Sequence, residues 1–252
     1  MRAEQILATA NDKNVVEGWE DAHRYSPAPR HRRRLIVNAI KELKFGDCLD
    51  IGCAHPFLLE MICRRFGVEG YGCDISDRVI EANTKILPDC QFKELDITQE
   101  TWPGKRKFDL VICSEVLEHI PEWRSALANV VKMSRRHVLI TVPSGPRRTM
   151  DRLVGHFQHF QGSELSEELE NIGCKVKHTR YWGFPVHSLY KWAISRYDAT
   201  QLYDSYAVGD YSLTQKLLSS GLYLAFFAND LFSKGCQLLI HATVADMAHG
   251  NC

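Results

Sequence analysis

Four carboxylates in the first half of the chain close short apolar runs. Asp50 lies in Cys48-Leu49-Asp50-Ile51-Gly52, Asp74 follows Val68 to Cys73, Asp96 ends Phe92 to Asp96, and Glu115 comes with Ser114 after Phe108 to Cys113. An ionised carboxylate is a strong acceptor that can take two donors at once. Gly52 and Ala54, with Cys53 between them, are small enough to let backbone come close to a ligand. His119 follows Glu115 by one helical turn, and it reads either as a general base or as a packed side chain behind one. His156 and His159, in Gly155-His156-Phe157-Gln158-His159-Phe160, are three apart and could share one face of a turn. Such a pair could hold a metal, but no third ligand of suitable spacing appears, so no metal is expected. The plainer alternative also stands for the acids: an Asp after a strand often caps a turn or a helix, and Asp96 precedes Thr98 in that way.

Something must bring these residues together, and the hydrophobic pattern says what. Apolar runs at Cys48–Ile51, Val68–Cys73, Phe92–Asp96, Phe108–Cys113 and His137–Val142 alternate with helical patterns such as Phe57, Leu58, Met61, Ile62, Phe66. Near-continuous apolar strands separated by helices imply a parallel sheet covered on both faces. A helix from Ser163 to Ile172, a strand from Cys174 to Tyr181 and a last strand from Gln237 to Val244 complete the pattern. The expected fold is therefore α/β, a doubly wound, mostly parallel, seven-stranded sheet with helices on both faces. Ligands of such sheets bind at the carboxyl ends of the strands near the topological switch point, which is where the acids lie.

Residues 1–44 read as helical, with one short helix over Val15–Asp21 and a second, after Ser26-Pro27-Ala28-Pro29, carrying Leu35, Ile36, Ala39, Ile40 and Leu43. The core runs over 45–181, and 236–252 supplies its last strand and tail. Between them, 182–235 is rich in aromatics, including Trp182, Tyr190, Trp192, Tyr197, Tyr203, Tyr206, Tyr211, Tyr223, Phe226 and Phe227. It is too long for a plain loop and reads as a helical insertion, an apolar lid over one end of the sheet. Arg30, His31, Arg32, Arg33 and Arg34 form a basic cluster spread around its helix; one of the arginines, or Tyr25, could meet an anionic group of a ligand.

The bulk properties narrow the class. Of 252 residues, 45% are hydrophobic and 25% charged, and Lys+Arg and Asp+Glu are both 31. No basic excess points to nucleic acid as a partner. The nine cysteines form no CxxC pair and read as reduced, buried thiols of a cytoplasmic protein. The first residues lack the apolar stretch of a signal peptide, and Leu222–Phe227 is far too short to span a bilayer. Either a monomer or a homodimer is compatible with this composition.

The segments LDIGCAHPFLLE, YGCDIS, ELDIT, FDLVICSEVLEHI and VLITVPSG, in that order, resemble the class I S-adenosylmethionine-dependent methyltransferases over roughly residues 45–180. The resemblance implies S-adenosyl-L-methionine as cofactor, S-adenosyl-L-homocysteine as product and a small-molecule acceptor. It implies that Gly52, Cys53 and Ala54 approach the methionine part, that Asp50 meets its ammonium directly or through water, and that Asp74 takes both ribose hydroxyls. Ile75 would flank the adenine, Asp96 would accept from its amino group with Ile97 nearby, and Ser114 and Glu115 would lie beside the sulfonium. His119, His156 and His159 would face the acceptor. The family's GxGxG is here Gly52-Cys53-Ala54-His55-Pro56, a mild change provided that Ala54 keeps a negative φ. A cofactor-binding module without turnover and an RNA or protein methyltransferase are the alternatives. The asparagine-proline motif of base N-methylation is missing, and a nicotinamide enzyme is disfavoured by the lack of GxGxxG.

Overall fold

The computed structural model describes residues 20–196 and 210–245. Seven strands form one sheet: β1 (Asp47–Ile51), β2 (Glu69–Asp74), β3 (Gln91–Glu94), β4 (Phe108–Ser114), β5 (Ser134–Pro143), β6 (Cys174–Trp182) and β7 (Gln237–Val244). Their order is β3-β2-β1-β4-β5-β7-β6. Strands β1 to β5 are parallel, and β7 runs antiparallel between β5 and β6. The chain winds outward from β1 to β3, then restarts at β4 on the other side of β1. The gap between β1 and β4 is thus the switch point, and both strands deliver residues there.

The helices are α1 (Glu20–Tyr25), α2 (Pro27–Ile40), α3 (Phe57–Phe66), α4 (Asp77–Ile86), α5 (Trp123–Lys132), α6 (Thr149–Leu153), α7 (Gly162–Asn171), α8 (Val186–Ile194) and α9 (Leu213–Ala225). The strands alternate between two cores because side chains along a strand point to opposite faces. On β4, Val111 and Cys113 join Leu127 and Val130 of α5 and Leu165 of α7. Leu110 and Ile112 join Ile36 and Ile40 of α2 and Leu58 and Ile62 of α3. Both layers exclude water from the central strands, whose ends alone remain open to ligands.

Local signals set the boundaries. Gly67 ends α3 at φ 66, a left-handed turn that costs glycine nothing. Ser76 caps α4 by accepting from Val79 N. Ser212 and Gln215 form a reciprocal capping box that starts α9. The eight cysteines among the described residues are free thiols, five of them buried.

Most of the expected Val15–Asp21 helix, and Tyr197, Tyr203, Tyr206 and Cys252, lie outside the described residues. The described parts of 182–235 are largely helical, and they pack on α2. Phe226 is fully buried, with its ring 5.8 Å from His31 and 5.6 Å from His187. Arg30 and Arg34 of α2 lie over the rings of Tyr223 and Phe227 at 4.0 and 4.1 Å. Leu213, Leu217 and Leu224 of α9 are left exposed. Among the described residues, no helix is long and apolar enough to cross a membrane.

Candidate active site

A cavity of about 360 Å³ opens at the carboxyl ends of β1, β2, β3 and β4, on the switch point. Gly52, Asp74, Ile75, Asp96, Ile97, Glu115 and His119 line it, together with Val116, Ile120, Pro121, Glu122 and Phe157. Among the described residues none of the lining comes from 182–235, and Ile120, Pro121 and Phe157 form an apolar wall. Among the described residues of the insertion, Tyr223, Phe226 and Phe227 pack toward α2 rather than toward this cavity.

The first turn after β1 is built around one carboxylate. Asp74 Oδ2 accepts from Ala54 N at 3.1 Å and Oδ1 from Ser76 N at 3.1 Å. Asp74 thereby ties the β1 turn to the start of α4. Ala54 sits at φ 40, which corrects the negative φ expected of it. Its backbone is clamped from both sides, by Asp74 at its N–H and by Asn83 Nδ2 donating to its carbonyl at 2.8 Å. These bonds offset the roughly 1–2 kcal/mol that an L-residue pays in the left-handed region. Gly52 is at φ 63, and a Cβ there would lie 2.4 Å from Val116 Cγ2. Only a glycine lets the two strand ends close this tightly.

Cys53 and Asp50 lie under the turn and outside the cavity lining. Cys53 is buried, its sulfur accepting from Asn83 Nδ2 at 3.4 Å. Burial, and next the neighbouring Asp74, push the Asp50 carboxyl up to about 7. The same burial raises Asp74, while its backbone donors pull the other way. Asp96 makes the capping turn that its sequence allowed: Oδ1 accepts from Thr98 N and Oγ1 at 2.9 and 2.7 Å, and Oδ2 from Gln99 at 2.8 Å. Burial raises its carboxyl, but these three donors prevail and hold it below the usual range. Asp96 still lines the cavity, so the cap and a ligand contact are compatible.

At the tip of β4, Ser114 is turned into a polar chain. The Thr141 hydroxyl donates to Glu115 Oε1 at 3.1 Å, so it must accept from Ser114 Oγ at 2.8 Å. Glu115 is held at φ 59, and its second oxygen lies 3.3 Å from Arg32 Nη1. The basic cluster of α2 thus delivers one arginine to the site. That arginine reaches a carboxylate of the chain itself.

The loop after β5 is stapled to the turn after β4. Phe157 N donates to Glu118 O at 2.8 Å, and Gln158 Nε2 donates to the Leu117 and Ile120 carbonyls. This pairing sets the His156 ring edge-on to His119, centroids 4.8 Å apart. His156 and His159 lie behind His119, outside the cavity lining. Burial holds the His119 imidazole below its ordinary value, while the Gly155 backbone beside it pulls the other way.

Glu118 was not singled out from the sequence. It is fully buried on the turn Leu117–His119, and among the described residues neither carboxylate oxygen has a hydrogen-bond partner. Burial, and then Glu115, raise its carboxyl well above the ordinary range. Ligand atoms of Glu118, His119 and His156 lie within 4.8 Å of one another. For the pair His156 and His159 the third group that linear spacing did not offer is Asp151, and Glu118 with His119 forms a second group around His156. A carboxylate and two imidazoles suit a divalent cation of intermediate softness. The two orphaned buried oxygens are the observation that fits this chain for one.

Comparison with known proteins bears on the family and the fold. Residues 22–179 match the family model described as a methyltransferase domain. The ubiquinone biosynthesis O-methyltransferase of Acinetobacter baumannii (strain AYE) is 22% identical over 203 residues, covering 66% of this chain and 85% of that protein. The magnesium protoporphyrin IX methyltransferase ChlM of Synechocystis PCC 6803, solved with bound SAM, superposes with a TM-score of 0.56 at 13% identity, covering 97% of this chain and 98% of the other. The [4+2]-cyclase SpnF gives 0.61 at 14%, covering 96% and 92%. At such identities the solved structures share the fold alone.

Proposed function

This chain belongs to the methyltransferase domain family, and from that premise we propose that it transfers the methyl group of S-adenosylmethionine to a hydroxyl of a small-molecule acceptor. The observation that carries this reading is the convergence of four strand tips, through Gly52, Asp74, Asp96 and Glu115, on one cavity at the switch point. Asp74 takes the ribose hydroxyls with the lone pairs its backbone donors leave free. Ile75, half exposed in the lining, flanks the adenine, and Asp96 accepts from the adenine amino group beside Ile97. The Gly52–Ala54 backbone receives the methionine part. Asp50, already beside Asp74, meets the ammonium, whose charge would draw its raised carboxyl back to the ionised form. The sulfonium carries its own driving force, so the protein's main task is to align acceptor, methyl and sulfur.

The acceptor enters past Ile120, Pro121 and Phe157, which favour a flat, largely apolar body. Its hydroxyl must lose a proton. Glu118, His119 and His156 would hold a divalent cation, which supplies Lewis acidity at the acceptor oxygen and lowers its pKa. The orphaned oxygens of Glu118 support this against the simpler picture of three packed side chains.

Calorimetry with S-adenosylmethionine and S-adenosylhomocysteine, followed by label transfer from the methyl-labelled cofactor to a panel of hydroxylated aromatics and amines, tests the proposal. Micromolar binding of both with label appearing on a hydroxyl is expected. Binding without transfer to any acceptor would leave a cofactor-binding module, and no binding would end the reading. Gly52→Ala is expected to weaken cofactor binding about tenfold, through the contact with Val116 Cγ2 and the positive φ. Adding Val116→Ala should restore part of that loss; calorimetry on the pair shows whether the contact or the dihedral dominates.

A further inference from the structure

Helix α9 is amphipathic the wrong way round. The side that meets α1 and α2 is polar: Lys216 Nζ lies 2.9 Å from Asp21 Oδ2, Ser220 Oγ accepts from Arg30 Nη1 at 3.5 Å, and the same arginine lies over the Tyr223 ring. Ser219, on that side too, is buried. The leucines point away. Leu213, Leu217, Leu218 and Leu224 are 65 to 75% exposed. At about 100° per residue they fall, with Gly221 and Ala225, in one sector of about 140° that holds no charged residue. A helix packed on its own fold ordinarily buries such a stripe. Past the helix end, Phe227, Leu231 and Phe232 are exposed as well. These seven side chains leave on the order of 800 Å² of apolar surface open, more than the roughly 300–600 Å² patch usual on a monomer and about what each partner of a stable complex buries.

Two further observations choose the occupant. The stripe is self-complementary about Gly221. In an antiparallel pair related by a two-fold axis at that residue, Leu218 meets Leu224 of the partner subunit, and Leu217 meets Ala225 of the partner subunit. An interface between identical faces requires this reciprocity. A Cβ built on Gly221 has nothing within 4 Å, so the space around such an axis is open to a second backbone. A bilayer surface is served less well. Helices that lie in a membrane interface carry Lys and Arg on their polar side for the headgroups. Lys216 is the single cation of α9, and it is turned inward onto Asp21.

We infer that the exposed leucine face of α9 is a dimer interface, packed antiparallel against the same face of a second copy of this chain with Gly221 on the two-fold axis. The strand-tip cavity takes none of its lining from α9, so the inference stands apart from the methyl-transfer reading.

Sedimentation equilibrium of the full chain, from micromolar to sub-millimolar concentration, tests this on wild type, Leu218→Lys, Leu224→Glu and the double variant carrying both. Wild type is expected at twice its chain mass of 28.8 kDa. Each single variant should weaken the dimer at least about 100-fold, because a two-fold interface meets every change twice. The double variant should recover at least about tenfold of that loss, since the axis sets the ammonium at 218 beside the carboxylate at 224 of the partner subunit. Within one chain these positions are six apart, outside the pairs that touch along a helix, so recovery comes only across the axis. Wild type that stays monomeric throughout overturns the inference, and its sedimentation with phosphatidylcholine vesicles would then assign the face to a membrane. A dimer that survives both single substitutions also overturns it. Two monomeric single variants whose combination regains nothing overturn the antiparallel pairing about Gly221.

Discussion

Asp74→Ala is expected to raise the dissociation constant for S-adenosylmethionine by about two orders of magnitude, measured by calorimetry at neutral pH. Two effects add. The variant removes the acceptor proposed for the ribose hydroxyls, and a hydrogen bond to a charged group contributes about 1.5–3 kcal/mol. It also frees Ala54 N and Ser76 N, which Asp74 holds at 3.1 Å each. Ala54 then loses one of the two clamps that keep it at φ 40. A total near 3 kcal/mol corresponds to about 100-fold. Asp74→Asn separates the contributions, because its carbonyl can still accept from Ser76 N while its amide cannot accept from Ala54 N. It should lose about tenfold. Unchanged affinity in the alanine variant would remove Asp74 from the cofactor site.

Glu118→Met should push stability and activity in opposite directions. Both oxygens of Glu118 are buried without partners among the described residues, and an unsatisfied buried polar group costs about 1–3 kcal/mol. An apolar side chain of similar length removes that cost. The unfolding midpoint of the metal-free variant is expected roughly 5 °C above that of metal-free wild type, given about 2–4 °C per kcal/mol at this chain length. Methyl transfer at saturating cofactor should fall at least about 100-fold, with little change in cofactor affinity. Zinc should raise the midpoint of wild type and leave the variant where it is, since only a state that binds the ion gains from it. A variant that is both less stable and fully active would show Glu118 to be an ordinary core residue. This opposition is what a site that stores unsatisfied groups for a ligand is expected to show.

The sheet was legible because its pattern is local. The alternation along Phe108–Cys113 sends Val111 and Cys113 to one core and Leu110 and Ile112 to the other, and a strand buried on both faces has few other ways to read. The acids at the strand ends followed, since a parallel sheet leaves its carboxyl edge open. What sequence could not convey was set by contacts distant along the chain. Ala54 has a positive φ because Asp74 and Asn83 hold it, and neither is its neighbour. Glu118 was in plain view in SEVLEHI, but its meeting with His156 depends on Gln158 stapling one loop to another. Spacing rules for metal ligands see only one element at a time. The aromatics of 182–235 announced burial correctly for Trp182, Tyr211 and Phe226, but not the partners: His31 of α2 for Trp182 and Phe226, and Asp21 and Tyr25 of α1 for Tyr211.

Strands β6 and β7 are paired side by side, with Trp182 opposite Gln237. Residues 183–236 therefore leave and rejoin the sheet at adjacent points, as the connection of one very long hairpin. The entropy of closing such a loop grows only with the logarithm of its length. Closure thus sets little limit on the length of this stretch, and the contacts of Phe226, Tyr223 and Phe227 with α2 are what its exchange would lose. Replacement of 184–235 by a short turn should keep the seven-stranded register while uncovering the face of α2 around His31, so this appendage and the cavity at the strand tips can be altered separately.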